Sequence, residues 1–529
     1  MNKILLLAVT AIMTALNVNA QSKESSSADE EVIQLRGCRM GTPNPQFAPR
    51  RSPLLQNGES PYIGNRRQMI VLAYFQDRDF KEDHDATLTK WDKIFNAENY
   101  TEDKYVGSVH DYFSAQSYGQ FNLQFDLMFV KLPDKCMKYR STYSYDEYSQ
   151  YMVDDIVEVL QTQDIDWSLY DWDGDSFVDQ LLIVYAGEGM NATKENNTIW
   201  PHQWWLSQHK NLETDDPADF RSYRTVTSGE KEYYIDCYCC VQEHVDYSGV
   251  KTPFGTICHE YSHCFGFPDF YYDNGSQVLG EWDIMDYGIY SEEGFRPCNY
   301  SAHERMLMGW LTPVELTDLA SITDMPALCD EPEAYLIRND GAENEYYIIE
   351  NRQKRGWDEQ LPGSGILIFH VDYDRDLWAG SNISVNTNSL KRYHIFPANN
   401  NARTYIASEW AYPYVTVDSE GNYVVANNEL TNTSQPAATL NNANVDGEKL
   451  MSKPITQMSV NANGLASFVF NVEEPASIHH YLFNETDAQG GQFGDNQYDG
   501  WYLLDGRRLN GKPTIRGLYK HQGKKVSVL

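Results

Sequence analysis

The most constraining feature of this chain is a run in the order His-Glu-Xaa-Xaa-His, from His259 to His263. Residues four apart lie on the same face of an α-helix, so both imidazoles can reach one metal ion. Glu260 follows the first histidine, where its carboxylate can accept a proton from a water molecule that the metal activates. The spacing therefore predicts a helix that binds a catalytic metal.

The residues after this helix predict a third ligand. Gly266 can adopt the left-handed conformation that ends a helix, and Pro268 prevents the helix from resuming. The chain then turns back, which can bring the carboxylate of Asp269 to the same ion. Two nitrogens, one oxygen and one open position are the arrangement of a catalytic zinc site. The competing interpretation is a helix whose histidines are merely solvated or packed. That interpretation gives Gly266, Pro268 and Asp269 no role.

Cysteines surround the metal segment, and Cys258 and Cys264 flank the two histidines. Ligation by both thiolates would close the site and remove the open position that catalysis needs. We therefore interpret them as small buried residues, with one or two disulfides fastening nearby loops. The total of nine cysteines leaves at least one thiol unpaired within the chain.

A second motif follows, with Met285 and, two residues later, Tyr287. This arrangement resembles the metzincin metallopeptidases, whose zinc helix is followed by a turn that carries a methionine beneath the metal. The resemblance implies that Tyr287 contacts the metal or the oxyanion, as a tyrosine does in some metzincins. Most metzincins have a third histidine where this chain has Asp269.

Among such peptidases, the chain most specifically resembles the immune inhibitor A family of secreted bacterial zinc metallopeptidases. This resemblance extends from about residue 69 to about residue 472. The segments that carry this resemblance are residues 109–113, 117–119, 170–175, 178–179, 199–202, 266–269, 282–288, 346–353 and 361–372. It implies a metzincin-like α/β (α+β) catalytic domain that hydrolyses peptide bonds. It also implies that an edge strand near residues 200–206 binds the substrate backbone as an added strand.

An acidic loop lies within the predicted catalytic domain. Its carboxylates are Asp171, Asp173, Asp175 and Asp179, with Gly174 allowing a tight turn. Calcium takes six to eight oxygen ligands, so the loop predicts a structural calcium site. The glutamate that completes an EF-hand loop is missing, and a solvated acidic turn is the alternative. The sequence Asp372-Xaa-Asp374-Xaa-Asp376 is interpreted as a surface turn.

The start of the chain predicts export. Residues 1–20 combine Lys3, an apolar run and small residues before Gln21, as in a signal peptide. That run is too short to span a bilayer comfortably, and no later segment predicts a transmembrane helix. The net charge of −34 argues against binding nucleic acid. We expect a secreted or cell-surface monomer that acts on proteins or peptides.

The 529 residues are too many for one core. We expect a pro-segment or linker at 21–67, the peptidase domain at 68–310, β-sandwich-like modules at 311–475 and a small C-terminal β module at 476–529. The last is either a sorting signal or a hairpin that caps the preceding domain. Cys38 suggests a thiol that caps the zinc before cleavage, or an ordinary thiol. The arginine pairs at 50–51 and 66–67 are candidate sites for proteolytic processing.

Local patterns predict several elements of the catalytic domain. Apolar runs at 69–75 and 181–185 favour buried strands, and the pattern at 151–160 favours a helix. Ser108 can cap a further helix. Alternating runs at 346–350 and 366–371 favour strands of the β-rich half.

The sequence thus favours a zinc endopeptidase with Glu260 as general base and Tyr287 as oxyanion donor. Three alternatives stay open. One is a thermolysin-type site with Glu281 as third ligand. The second is an inactive adhesin or glycan-binding protein on the same fold, and the third is a zinc amidase or esterase for a non-protein substrate.

Overall fold

The structure, a computed structural model, describes residues 60–142, 146, 148–193, 197–216, 218–244, 254–272, 274–380, 385–387, 389–470, 501–502, 508–509, 517–521 and 524–528. The predicted signal peptide, Cys38, the pair at 50–51 and most of the predicted pro-segment lie outside the described residues, as does most of the C-terminal module.

The bounds of the described helices and strands are as follows. The helices are α1 (His84–Asn96), α2 (Val109–Gln116), α3 (Ser149–Leu160), α4 (Met190–Thr193), α5 (Phe254–Cys264), α6 (Ala302–Leu307) and α7 (Arg375–Gly380). The first strands are β1 (Gly64–Tyr74), β2 (Phe121–Lys131), β3 (Phe177–Val178), β4 (Leu181–Glu188), β5 (His202–Trp205), β6 (Arg224–Ser228), β7 (Lys231–Ile235) and β8 (Cys237–His244). The later strands are β9 (Val314–Glu315), β10 (Ala320–Met325), β11 (Tyr335–Arg338), β12 (Glu345–Arg352), β13 (Gly365–Asp372), β14 (Tyr393–Ile395), β15 (Tyr414–Val417), β16 (Tyr423–Asn427), β17 (Ile455–Val460), β18 (Ala466–Phe470), β19 (Trp501–Tyr502), β20 (Arg508–Leu509), β21 (Gly517–His521) and β22 (Lys524–Val528).

A five-stranded sheet in the order β2-β1-β4-β8-β5 forms the centre of the catalytic half. β1, β2, β4 and β8 are parallel, and β5 pairs antiparallel with β8 at one edge. Residues 70–73 and 181–185 are completely buried, as expected where helices cover both faces of a parallel sheet. The predicted strands at 69–75 and 181–185 are confirmed, and β5 confirms an edge strand near residues 200–206.

The first strand begins earlier than the predicted domain boundary. Gly64 already pairs with Phe121 of β2, and Arg67 Nε donates to Asp126 Oδ2 at 2.7 Å. The pair Arg66 and Arg67 therefore lies in the sheet and not in a linker, because ladder bonds and an ion pair hold this segment.

The predicted helices are present. Ser108 caps α2 through a capping box in which its hydroxyl accepts from Asp111 N and the Asp111 carboxylate accepts from Ser108 N. Helix α3 buries Met152, Val153 and Ile156, at helical spacing. Among the described residues, no helix is both long enough and apolar enough to cross a bilayer.

A second five-stranded sheet, β14-β13-β12-β11-β9, joins the two halves of the chain. Alternate residues of its strands face opposite sides. Ile348 and Phe369 belong to the large core of the catalytic half, whereas Ile349 and Ile368 pack in a second core with the sheet β10-β18-β17. The β-rich half therefore shares a hydrophobic core with the catalytic half, and the β-sandwich-like description stays a prediction.

Near the C-terminus, the strands β20-β19-β21-β22 form a separate four-stranded sheet. Its β character agrees with the expected C-terminal module, and a sorting role stays a prediction. The eight described cysteines form no disulfide with one another, and all but Cys329 are buried. The expected disulfides are thus not found in the described part of the chain. The interpretation of these cysteines as small buried residues agrees with the structure.

Candidate active site

Helix α5 carries the His-Glu-Xaa-Xaa-His run and is buried almost throughout. Ten of its eleven residues are buried, and it packs against β8 and β5. A Cβ on Gly255 would lie 2.1 Å from the carbonyl oxygen of Ile289, so only glycine lets the later segment approach the helix so closely. At the other end, Gly266 adopts a φ of +97° and turns the chain out of the helix, as predicted.

Each histidine of the run is oriented by a backbone carbonyl. The Nδ1 atom of His259 lies 2.8 Å from the carbonyl oxygen of Ile284, and that of His263 lies 2.6 Å from the carbonyl oxygen of Phe267. A carbonyl oxygen can only accept, so both Nδ1 atoms carry the proton. Both Nε2 atoms are left with a lone pair, which is the tautomer that binds a metal.

Asp269 completes the donor set. Its Oδ1 atom lies 3.4 Å from His259 Nε2 and 3.3 Å from His263 Nε2, and the side chain is 2% exposed. Oδ1 accepts no hydrogen bond from the described residues. Three buried lone-pair atoms therefore face one another with no proton between them, which is unfavourable without a cation.

The spacing of these atoms fits zinc. Bonds of about 2.0–2.2 Å in a tetrahedral site place the ligand atoms roughly 3.3–3.5 Å apart, which is the separation found here. Burial opposes ionisation of Asp269, but the adjacent His263 and His259 lower the pKa of Asp269 below its ordinary value. The residues present thus suit a divalent zinc ion, with Asp269 supplying a charged oxygen.

Glu260 lies beside the donor atoms. Its carboxylate and the two imidazoles lie within 4.8 Å of one another. Burial raises the pKa of Glu260 to about 8. The charges of Asp269 and Asp146 also raise this pKa, whereas His259 lowers it. A cation at the site would favour the ionised form, which is the form that a general base requires.

The predicted methionine turn lies directly beneath α5. Met285 is completely buried, and its carbonyl oxygen accepts from Phe270 N at 2.9 Å, next to Asp269. The Asp286 carboxylate holds the loop before it by accepting from the backbone N–H groups of residues 278–280. Burial raises the pKa of Asp286 to about 7, although these N–H groups favour its charge.

Three tyrosines surround the site, and sequence reasoning identified only Tyr287. Tyr287 is half-buried and meets Tyr290 edge-to-face at 5.7 Å. Burial raises the pKa of Tyr290, with further contributions from the charges of Tyr287, Glu260 and Asp269. Burial also raises the pKa of Tyr271 well above its ordinary value, and the charge of Asp269, two residues earlier in the chain, adds to this shift.

Other candidate ligands do not join the histidines. Glu281 is exposed on a short 3₁₀-helix, Gly280–Trp282, whereas Asp269 is buried against both imidazoles. Cys258 and Cys264 lie next to the histidines in sequence, but successive helical residues project about 100° apart. Cys264 instead makes a side-chain contact with Cys239 of β8.

The acidic loop brings together three of its four predicted carboxylates. Oxygens of Asp171, Asp173 and Asp179 lie within 4.8 Å of one another, and Asp171 Oδ1 is buried without a hydrogen bond from the described residues. Asp175 Oδ1 instead accepts from Phe177 N at 2.7 Å.

The turn at 372–376 has partners within the protein. Asp372 accepts from Arg392 at 3.0 Å, and Asp374 accepts from the first N–H groups of α7. Asp372 is the buried last residue of β13 and Asp376 lies in α7, so this segment joins a strand to a helix and is not wholly a surface turn.

The catalytic half of the chain matches a known protein family. Residues 68–309 match the family model of the immune inhibitor A peptidase M6 catalytic domain. No curated protein matches the chain. The matched segment contains α5, Asp269, the methionine turn and the acidic loop, and it supports a peptidase that acts on proteins or peptides. Residues 68–309 therefore form a catalytic domain of the immune inhibitor A peptidase family.

Proposed function

We propose that this chain is a zinc-dependent endopeptidase in which His259, His263 and Asp269 bind the metal and Glu260 is the general base. The observation that carries this proposal is that the Nε2 atoms of His259 and His263 lie 3.4 Å and 3.3 Å from Asp269 Oδ1, an oxygen that accepts no hydrogen bond from the described residues. A catalytic zinc site has this donor set and leaves a position open for the reaction.

When bound, zinc would polarise the scissile carbonyl and lower the pKa of an attacking water molecule. Glu260 accepts the proton of that water at its carboxylate and delivers it to the amine that leaves. Tyr287 donates a hydrogen bond to the oxygen on which negative charge develops. Met285 and Ile284 hold the ligand His259 in place from below, through packing and through the Ile284 carbonyl.

The substrate backbone would lie along β5, as in metzincins. β5 is the last strand of its sheet in the described part of the chain, and α5 packs directly against it. An extended peptide can add to such an edge through main-chain hydrogen bonds. Two further proposals accompany this one: calcium stabilises the loop of Asp171, Asp173 and Asp179, and residues 1–20 direct the chain to the cell surface or medium.

The test measures zinc content and proteolysis on the same samples. We expect about one zinc per chain, casein digestion that a chelator abolishes, and loss of nearly all cleavage in Glu260→Gln with zinc retained. Glu281→Gln is the matched control, because Glu281 is an exposed carboxylate on the neighbouring segment. Proteolysis by zinc-loaded Glu260→Gln would remove Glu260 as the base.

The same experiment separates the alternatives. An adhesin or glycan-binding protein would show no chelator-sensitive digestion of casein or of a peptide library. An amidase or esterase would leave casein and the peptide library intact. It would instead hydrolyse members of a panel of non-protein substrates in a zinc-dependent manner.

A further inference from the structure

An open cavity of about 630 Å³ lies beside Tyr287, between the catalytic half and a loop of the β-rich half. Ser276 and Gln277 line it on the catalytic side, and Arg403, Thr404 and Tyr405 line it on the other side. The metal ligands and Glu260 do not line it. The cavity is therefore a neighbour of the proposed catalytic centre, and Tyr287 is the residue the two share.

The two walls of this cavity are fixed to each other. The Trp282 indole donates to the carbonyl oxygen of Ala407 at 3.1 Å, and a Cβ on Gly280 would lie 3.5 Å from the Thr404 side chain. The Trp410 indole closes the base of the loop by donating to the Asn401 carbonyl oxygen at 2.8 Å. The loop at 402–405 is thus held against the segment that carries Tyr287, and a preformed wall costs little entropy when a ligand binds.

The lining of the cavity has a single charge. Arg403 is the only charged residue among the lining residues, and the others offer hydroxyl and amide groups. Among the described residues, no carboxylate forms an ion pair with Arg403. Its Nη1 donates to Tyr405 Oη at 2.8 Å, which orients the guanidinium and leaves other N–H groups available. A cation without an acidic partner is notable in a chain with a net charge of −34.

We infer that this cavity is a substrate subsite that binds a carboxylate, and that Arg403 recognises it. The inference rests on the proposed peptidase function and adds a substrate class: peptides with Asp or Glu at one position near the cleaved bond. The guanidinium offers a planar pair of N–H donors that matches a carboxylate. The hydroxyls of Thr404 and Tyr405 and the amide of Gln277 suit its remaining oxygen lone pairs, and a cavity of this size holds one or two side chains.

The test compares matched peptides that differ only in having Glu, Gln or Lys at each position around one cleavage site. For wild type, kcat/KM for the Glu peptide should exceed that for the Lys peptide roughly three- to tenfold at one position, since a partly exposed ion pair is weak. Arg403→Glu should reverse the preference, and Arg403→Gln should bring the ratio near one. Lys131→Glu is the control, because this exposed residue ends β2 at the opposite edge of the catalytic sheet and makes the same charge change.

A second measurement keeps the inference testable without turnover. Binding of labelled peptides to zinc-loaded Glu260→Gln, by fluorescence anisotropy, should show the same order and the same reversal with Arg403→Glu added. Amidated and free C-termini distinguish a side-chain carboxylate from a terminal one. A wild-type protein without charge preference, or an equal change in Lys131→Glu, overturns the inference. Absence of any peptide cleavage overturns the proposed function. In that case the binding measurement by itself decides whether the cavity binds a carboxylate.

Discussion

Arg352 and Asp358 form a buried ion pair, with Arg352 Nη2 donating to Asp358 Oδ1 at 2.7 Å and both side chains 0% exposed. Arg352 also donates to the carbonyl oxygen of Asn299, and Asp358 accepts from Asn299 N. The pair thus joins the end of β12 to the segment that precedes α6. The β-rich half is therefore part of the support of the catalytic half and not a separate attachment.

Replacing Arg352 by methionine should destabilise the protein strongly. The change leaves Asp358 and the buried Glu350 without their cation, and breaking a buried pair in this way costs about 3–5 kcal/mol of unfolding free energy. Urea unfolding followed by tryptophan fluorescence measures this change. Arg338→Met is the control, because its pair with Glu315 is exposed and should cost at most about 1 kcal/mol. Equal losses in the two variants would contradict the structural role of the buried pair.

Replacing Asp269 by alanine should abolish zinc binding. The variant removes the carboxylate oxygen that lies 3.4 Å and 3.3 Å from the two imidazoles, and two neutral nitrogens hold the ion far less tightly. Metal analysis after dialysis gives the zinc content, with Glu281→Ala as the control that retains the ion. Loss of zinc from Glu281→Ala with retention in Asp269→Ala would favour the thermolysin-type site.

Replacing Tyr287 by phenylalanine should lower kcat by about 10²-fold with little change in KM. This is the size of effect found when one oxyanion donor is removed. Tyr290→Phe is the matched comparison, because the two rings are in contact and lose the same hydroxyl. A larger loss of kcat in Tyr290→Phe would transfer the role of oxyanion donor to Tyr290.

The buried His303 should make the protein less stable in acid. Burial lowers the pKa of His303 to about 3, so the folded chain keeps it neutral while the unfolded chain protonates it below its ordinary pKa of about 6.5. The unfolded state therefore binds the extra proton, and stability is lost as the pH falls from about 6.5 towards 3.

Between pH 7 and pH 5 this single group should remove roughly 2 kcal/mol of unfolding free energy. Urea unfolding at the two pH values measures the loss, and His303→Gln should lose less than wild type over the same interval. Tyr346→Phe is the control, since it removes a hydroxyl 3.3 Å from the imidazole but keeps the imidazole itself. An unchanged pH dependence in His303→Gln would contradict the assignment.

Calcium should raise the thermal stability of the protein through the acidic loop. A ligand present at a hundredfold excess over its Kd adds about 2.7 kcal/mol. Differential scanning calorimetry should therefore show a higher Tm with calcium than with magnesium. Asp171→Asn should abolish the increase, whereas Asp175→Asn should preserve most of it, because Asp175 bonds to the Phe177 backbone. Equal responses in both variants would indicate a solvated acidic turn.

Much of the site could be predicted because its rules are local. The spacing of His259 and His263, the helix end at Gly266 and the cap at Ser108 each depend on a few consecutive residues. The strands at 69–75 and 181–185 were equally clear, because a parallel sheet buried on both faces requires continuous apolar runs. The strand β1 begins at Gly64, before the predicted boundary at residue 67, because Arg66 and Arg67 look like a linker until the pairing of β1 with β2 is known.

The sequence by itself determined the helix of His259 and His263, the direction in which the chain leaves it and the peptidase family of residues 68–309. Only the tertiary structure decided which groups surround that helix. The carbonyl of Ile284 orients His259, the carbonyl of Met285 accepts from Phe270 N beside Asp269, and Arg403 reaches the cavity beside Tyr287 from more than a hundred residues away. The physical reason is that helix spacing and capping act within one or two turns of chain. Contacts between distant segments instead depend on how sheets and cores pack, which no local pattern specifies.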